Sequence, residues 1–347
     1  MCNFTIAPMV SYSAGTYPDM VAVGDFNNDN RSDIAVANAG GGSMGIFLGY
    51  GNGNFAAQIT SSASSLASPY SIAVGDFNKD NLLDVVLSDR SGTQFGILLG
   101  QGNGSFRPMT TFSTGTYSYF IAVADFNSDN RLDVAVANAG TNNVGIFFGN
   151  GDGTFATQIT FATGYYPYGI AIGDFNNDNR LDIAVINDGS DTVSVLLGYG
   201  NKTFATQMTF ATGSYPEGIA VGDFNNDNKL DIVTANYGSS TVSVLLGYAN
   251  GTFATQTTFA TTSNPFSIAV GDFNSDYQTD IATVSLTNNI LNVFLGYGNG
   301  TFATQLSYAT GTGPYSVAVG DFNSNSRPDI VVGNGDDLSV GVYLTQC

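Results

Sequence analysis

"DFNNDNRSD" at residues 25–33 decides how the chain is to be read, because its pattern Asp-Phe-Asn-x-(Asp/Asn)-x-x-x-Asp returns at Asp76, Asp125, Asp174, Asp223, Asp272 and Asp321. Successive starts lie 51 residues apart once and 49 apart thereafter. Seven units of about 49 residues consume the 347-residue chain, so one domain over residues 1–347 is expected, with no room for a second. Outward from the Asp loop of the fourth unit, "YGIAIGDF" (168–175) precedes it, and "DIAVIN" (182–187), "TVSVLLG" (192–198), "YGNKTF" (199–204) and "ATQMTFATG" (205–213) follow. Val, Ile and Phe dominate these runs, and Gly, Asn and Asp separate them, which is the pattern of β-hairpins. No 3.6-residue apolar stripe is sustained, so helix should be nearly absent.

The first run of each unit carries a column of small residues, Ala22, Ala73, Ala122, Ala171, Ala220, Ala269 and Ala318. Small side chains suit the narrow inner edge of a wedge-shaped sheet packed around an axis. Four-stranded units repeated in this number predict an all-β, seven-bladed β-propeller of antiparallel blades. The register also predicts the seam. "MVSYSAG" (9–15) aligns with the outer strand of a unit that lacks the rest of its blade, and the C-terminal "LSVGVYLTQC" (338–347) is a third strand without its fourth. The N-terminal strand should therefore complete the last blade and close the ring. In the same register Cys2 and Cys347, the only cysteines, fall on the missing hairpin, where a disulfide would replace the turn. Such a bond implies an oxidising compartment.

Charge narrows the function. Nine Lys and Arg against 28 acidic residues leave a net charge of −19. A nucleic-acid partner is excluded on that balance, because affinity for phosphate comes from clustered cations. The absence of His removes Ser-His-Asp and Cys-His nucleophiles and His-ligated zinc. No apolar run approaches the roughly 18 residues of a membrane helix, so membrane insertion is not expected. A single acid is Glu (Glu217), and 20 of the 28 acids sit in the seven Asp loops.

Four oxygen-bearing side chains at positions 1, 3, 5 and 9 of one tight loop, joined by the carbonyl of position 7, form a hard donor set suited to Ca²⁺. The expected ligands of the first loop are Asp25, Asn27, Asp29, the Arg31 carbonyl and Asp33. Those of the second are Asp76, Asn78, Asp80, the Leu82 carbonyl and Asp84, and of the third Asp125, Asn127, Asp129, the Arg131 carbonyl and Asp133. The fourth has Asp174, Asn176, Asp178, the Arg180 carbonyl and Asp182, and the fifth Asp223, Asn225, Asp227, the Lys229 carbonyl and Asp231. The sixth has Asp272, Asn274, Asp276, the Gln278 carbonyl and Asp280. In the seventh, Asp321, Asn323, Asn325, the Arg327 carbonyl and Asp329 have lost one carboxylate, and this site is expected to bind weakest. Position 6 is Asn in five loops, a residue that tolerates the left-handed backbone such a bend needs. Seven Ca²⁺ add fourteen positive charges and would take the formal charge from −19 to −5.

The loop Asp-x-Asn-x-Asp-x-x-x-Asp, an apolar strand and then Gly-x-Gly-(Asn/Asp)-Gly-x-Phe, as in "GNGDGTF" at 149–155, resembles the FG-GAP/VCBS repeats. Such repeats build the seven-bladed propeller of integrin alpha subunits and of many secreted adhesion or lectin-like proteins. The Gly-Ala-Pro tripeptide is missing, and all seven units carry the loop, whereas integrin propellers use it in only some blades. The resemblance implies calcium and an extracellular setting and names no ligand.

In an up-and-down blade the loops joining first to second and third to fourth strands share one face. The opposite face should gather Asp19, Asp89, Asp188, Asp191, Glu217, Asp336 and Asp337, offset there by Arg90 alone, together with aromatic residues. One column on that face runs Asp19, Tyr70, Tyr119, Tyr168, Glu217, Phe266, Tyr315, varying from blade to blade. Tyr70, Tyr119, Tyr168, Glu217, Phe266 and Tyr315 are the candidate ligand-binding residues, fit to stack on a sugar or hold a cationic side chain. The same Tyr-Pro column also serves turns and inter-blade packing. The expected function is a non-enzymatic, calcium-stabilised extracellular binding or adhesion module, monomeric, with a carbohydrate or protein ligand on the face opposite the calcium loops. A ligand-free scaffold of a larger secreted protein is the alternative, and a glycan-active enzyme using Asp188 with Asp191 or Asp336 with Asp337 ranks below it.

Overall fold

The computed structural model describes residues 4–346, and the Cys2–Cys347 pairing expected from the sequence lies outside them. Seven four-stranded antiparallel sheets form the ring. The fourth blade shows the plan: inner strand Pro167–Gly173, second strand Asp182–Asn187, third strand Thr192–Leu196 and outer strand Met208–Ala211. Among the described residues the only helical elements are three single 3-10 turns, Ala39–Gly41, Ala139–Thr141 and Asp188–Ser190. The seam is where the sequence placed it. Val10–Ser13 pairs with Ser339–Tyr343 as the outer strand of the seventh blade, and Thr5–Ile6 pairs with Thr345–Gln346.

Second and third strands alternate poorly because both of their faces are covered by neighbouring blades, so Asp182–Asn187 is buried throughout. Inner strands narrow toward the axis, and Gly at their ends has a cause the small-residue argument did not contain. A Cβ on Gly24 would meet Leu83 at 2.6 Å and one on Gly75 would meet Leu132 at 2.3 Å, each an apolar residue of the next blade's Asp loop. The glycine lets adjacent blades close.

Aromatic pairs then rivet each blade to the next. Phe26, Phe77, Phe126, Phe175, Phe224, Phe273 and Phe322, the second residues of the Asp loops, are all buried. Phe26 meets Phe106, Phe77 meets Phe155 and Phe175 meets Phe253 edge-on, with centroids 6.2, 5.8 and 5.6 Å apart. Phe4, from the N-terminal segment, shares an apolar cluster with Phe273 and so serves the blade whose hairpin is missing.

Candidate functional site

All seven Asp loops fold alike. The position-1 carboxylate accepts the N–H groups of positions 5 and 6, Asp25 Oδ1 from Asp29 at 3.1 Å and Asp25 Oδ2 from Asn30 at 2.7 Å, and Asp25 Oδ1 also takes Asn27 N–H at 3.3 Å. The same pair recurs down to the seventh loop, where Asp321 accepts from Asn325 at 3.0 Å and Ser326 at 2.7 Å. The bend needs two left-handed residues per loop, at positions 4 and 6. In the first loop these are Asn28 (φ +57°) and Asn30 (φ +61°), and in the sixth Ser275 (φ +59°) and Tyr277 (φ +65°). Position 6 was legible as an Asn column. Position 4 was not, because Asn, Lys and Ser share it.

Position 9 works differently from positions 1 and 5. Asp33 is fully buried, and its two oxygens accept from Phe26 N–H at 2.8 Å and Gly49 N–H at 2.7 Å, clamping the Asp loop to the end of the third strand. Asp84, Asp133, Asp182, Asp231 and Asp280 repeat this, and Asp329 does so with Phe322 and Thr345. Burial pushes the Asp33 carboxyl up to about 6, the two N–H donors pull against it, and Asp29 and Asp25 add repulsion. At Asp280 the same causes reach about 7.

The carboxylates are thus partly spent on the backbone, and among the described residues no three acidic side chains form one metal-binding group. The donor set nevertheless fits a hard cation. A carboxylate oxygen with a single N–H contact, such as Asp25 Oδ2 or Asp29 Oδ1, retains a lone pair. In the seventh loop Asn323 Oδ1, at ligand position 3, is buried with no hydrogen-bond partner. Arg31, Arg180 and Lys229 lean on the position-5 carboxylates at 3.7, 3.8 and 3.1 Å, exposed pairs that contribute little.

On the opposite face every inner strand carries a register shift at the candidate ligand column, between Pro18 and Met20, Pro69 and Ile72, and so on around the ring. A bulge re-aims one side chain. Here the result differs from an open ring of Tyr. Tyr70, Tyr168 and Phe266 are buried, 1%, 6% and 8% exposed, and plug the axis. The Tyr70 and Tyr168 hydroxyls bond each other, Tyr70 stands edge-on to Tyr119 at 5.8 Å, and Phe266 to Tyr315 at 5.6 Å. Phe120, which the sequence reading did not single out, packs on Tyr168 at 5.6 Å. Tyr119, Glu217 and Tyr315 remain half-buried at the rim of the plug.

The acids of this face divide as well. Asp89 is buried and caps Ala67 and Ser68 N–H at 2.9 and 3.0 Å, a structural post rather than part of an open platform. Asp191 accepts from Tyr215 N–H at 2.8 Å, and Asp337 from Thr312 N–H at 2.6 Å. Asp19 is 3% exposed and faces Arg90 at 3.6 Å, and burial raises it to about 6 against the pull of Arg90. The Arg90 guanidinium lies 4.8 Å over the Tyr70 ring. Glu217 is raised to about 8, first by burial and then by Asp188, while a Tyr168 hydrogen bond opposes the shift.

These features define a class: a seven-bladed propeller whose every blade carries an acidic hairpin loop. The chain belongs to the FG-GAP-like repeat family, whose model matches residues 25–87, 80–136, 125–185, 174–234, 223–283 and 278–332. No curated protein matches it. Among solved structures it is similar to a streptogramin B lyase, at 12% identity over 99% of this chain and 98% of that one, with a TM-score of 0.69. A 6-phosphogluconolactonase homologue from Bacteroides fragilis follows the same fold at 15% identity, 96% and 90% coverage and a TM-score of 0.64. An Agrocybe aegerita lectin that recognises non-reducing terminal N-acetylglucosamine does so at 17% identity, 91% and 85% coverage and a TM-score of 0.58. Enzymes and a lectin share the fold, so the fold alone does not choose between them.

Proposed function

We propose that the protein is a calcium-stabilised, extracellular binding or adhesion module that acts as a monomer, without catalysis, and presents its aromatic and acidic face to a carbohydrate or protein ligand. The observation that carries the calcium reading is sevenfold: each loop draws its position-1 carboxylate onto the N–H groups of positions 5 and 6 through the same two left-handed residues, in a turn whose positions 3 and 5 also carry oxygen-bearing side chains. Up to seven ions relieve the repulsion of up to three carboxylates per loop. The ring transmits that effect, because Phe26, whose N–H is clamped by Asp33, takes Gly104 N–H of the next blade on its carbonyl at 3.1 Å.

A binding role is favoured over catalysis by what the candidate acid pairs already do. Asp191 and Asp337 are tied to backbone N–H groups, so one member of each pair is already engaged in holding its own connection. A secreted scaffold without a ligand of its own is the competing reading. Melting followed in calcium and in chelator tests the metal. Each occupied site contributes about 2.7 kcal/mol when free calcium is a hundredfold above its Kd, so chelation is expected to lower the Tm steeply. Equal melting temperatures, with no heat on calcium titration, would sink the metal reading.

A further inference from the structure

The seven units are near copies, and one place on the face opposite the Asp loops is unlike the other six. At the inner-strand column only the first blade has Asp, Asp19. The second-to-third-strand connections there hold Ala39, Ala139, Asp188, Tyr237 and Gly335 beside the equivalent Tyr or Gly carbonyls, and Arg90 beside that of Ser68. Asp19 and Arg90 meet at the wall of a cavity of about 250 Å3 between the seventh, first and second blades, lined further by Tyr17, Ser68 and Tyr315.

We propose that this cavity holds a single neutral pyranose ring. The inference deepens the binding-module reading and rests on it. Size admits one ring, since the volume falls below the roughly 300–1,000 Å3 of drug-sized ligand sites. Donors and acceptors are paired for vicinal hydroxyls. The 3.6 Å separation of Arg90 from Asp19 is longer than a hydrogen bond, so the guanidinium keeps N–H groups to donate and the carboxylate keeps lone pairs to accept. Asp19 is 3% exposed and Arg90 is held over Tyr70, so both are fixed before a ligand arrives. Tyr17, half exposed, and Tyr315 give apolar ring faces for the C–H side of a sugar.

Charge selects against the alternatives. A Lys or Arg from a protein partner would approach Asp19 against the Arg90 cation already there. An anionic sugar would meet Asp336, whose charge acts on both Asp19 and Tyr315. Tyr17 sits at φ +51°, a conformation shared by Tyr117, Tyr166 and Tyr215 in their blades and by Gly313 at φ +65° in the seventh.

The test uses the full chain in calcium with a panel of methyl glycosides of glucose, galactose, mannose and N-acetylglucosamine, read by saturation-transfer NMR and calorimetry. At least one is expected to bind, and Tyr17→Gly and Arg90→Met are each expected to weaken it about tenfold or more. Tyr17→Gly relieves backbone strain, so its Tm should hold or rise and misfolding cannot explain the loss. Tyr297→Ser, at an exposed third-to-fourth-strand hairpin on the Asp-loop face, is expected to bind normally. Binding indifferent to both variants overturns the cavity assignment and leaves the module reading standing. Capture of an oligolysine peptide in place of glycosides overturns the ligand class, and silence toward every glycoside overturns the proposal while the module reading stands with a protein ligand.

Discussion

Tyr277 occupies the sixth position of the sixth Asp loop at φ +65°, 91% exposed, with its N–H on Asp272 at 2.8 Å. Five loops place Asn there, and a bulky residue in the left-handed region costs roughly 1–2 kcal/mol. Tyr277→Gly keeps the N–H and removes the strain, so it is expected to raise the calcium-loaded stability by about 1 kcal/mol in urea unfolding, with offsetting loss from the freer unfolded chain. Glu217 tests burial instead. Its folded-state value of about 8 lies above that of an unfolded Glu, so stability present at low pH is lost as pH rises toward 8 and stays lost above it. Glu217→Gln does not ionise. The variant should match the wild type near pH 4 and exceed it above about pH 8.5, by on the order of 3 kcal/mol, and equal pH profiles would contradict this. The residue column containing Glu217 was legible in the sequence, but its burial was not. Sequence shows which residues share a position, whereas the distance across the axis decides that Tyr70 and Tyr168 bury each other while Tyr119 and Tyr315 keep an edge in solvent.

At the scale of the hairpin, two carboxylates of one loop differ in task. Asp182 is buried and accepts from Phe175 at 2.8 Å and Gly198 at 2.7 Å, while Asp178 is mostly concerned with its own loop, accepting from Arg180 N–H at 2.9 Å. Asp182→Asn turns one acceptor into a donor facing an N–H, and a lost buried bond with an orphaned donor costs about 2–4 kcal/mol in the presence or absence of calcium. Asp178→Asn is expected to cost under about 1 kcal/mol in chelator and to lose most of the stabilisation that calcium brings to that loop. A thermal melt of each variant with and without chelator separates the two, and equal calcium gains in Asp178→Asn and wild type would remove position 5 from the ligand set. Positions 1, 3, 5 and 9 were readable as oxygen carriers from spacing alone. That position 9 also stitches the loop to the third strand was not, since its partner Gly198 lies sixteen residues away and no local pattern links them.

Across the whole ring, stability depends on a contact between the two ends of the chain, which the register of repeats predicted and Val10–Ser13 makes with Ser339–Tyr343. The segment does more than fill a gap. Tyr12 packs edge-on against Phe55 of the first blade at 5.4 Å, and Phe4, Ile6 and Met9 cover the cluster around Phe273 and Tyr343. Full burial of such a side chain contributes roughly 1.5–3 kcal/mol, so buried Phe4 with the half-buried Ile6, Met9 and Tyr12 supplies a sizeable part of the roughly 5–15 kcal/mol that holds a typical domain folded. Deleting residues 1–14 should therefore open the seventh blade and bare the backbone edge of Ser339–Tyr343 to pairing with another chain. The truncated protein is expected to lose its monomer peak in light-scattering chromatography and to melt well below the full chain. A synthetic peptide spanning residues 4–14 should restore the monomer by reoccupying the edge. A truncated monomer with an unchanged melting temperature would show that the other six blades hold the ring without the seam, and that the inter-blade Phe pairs suffice.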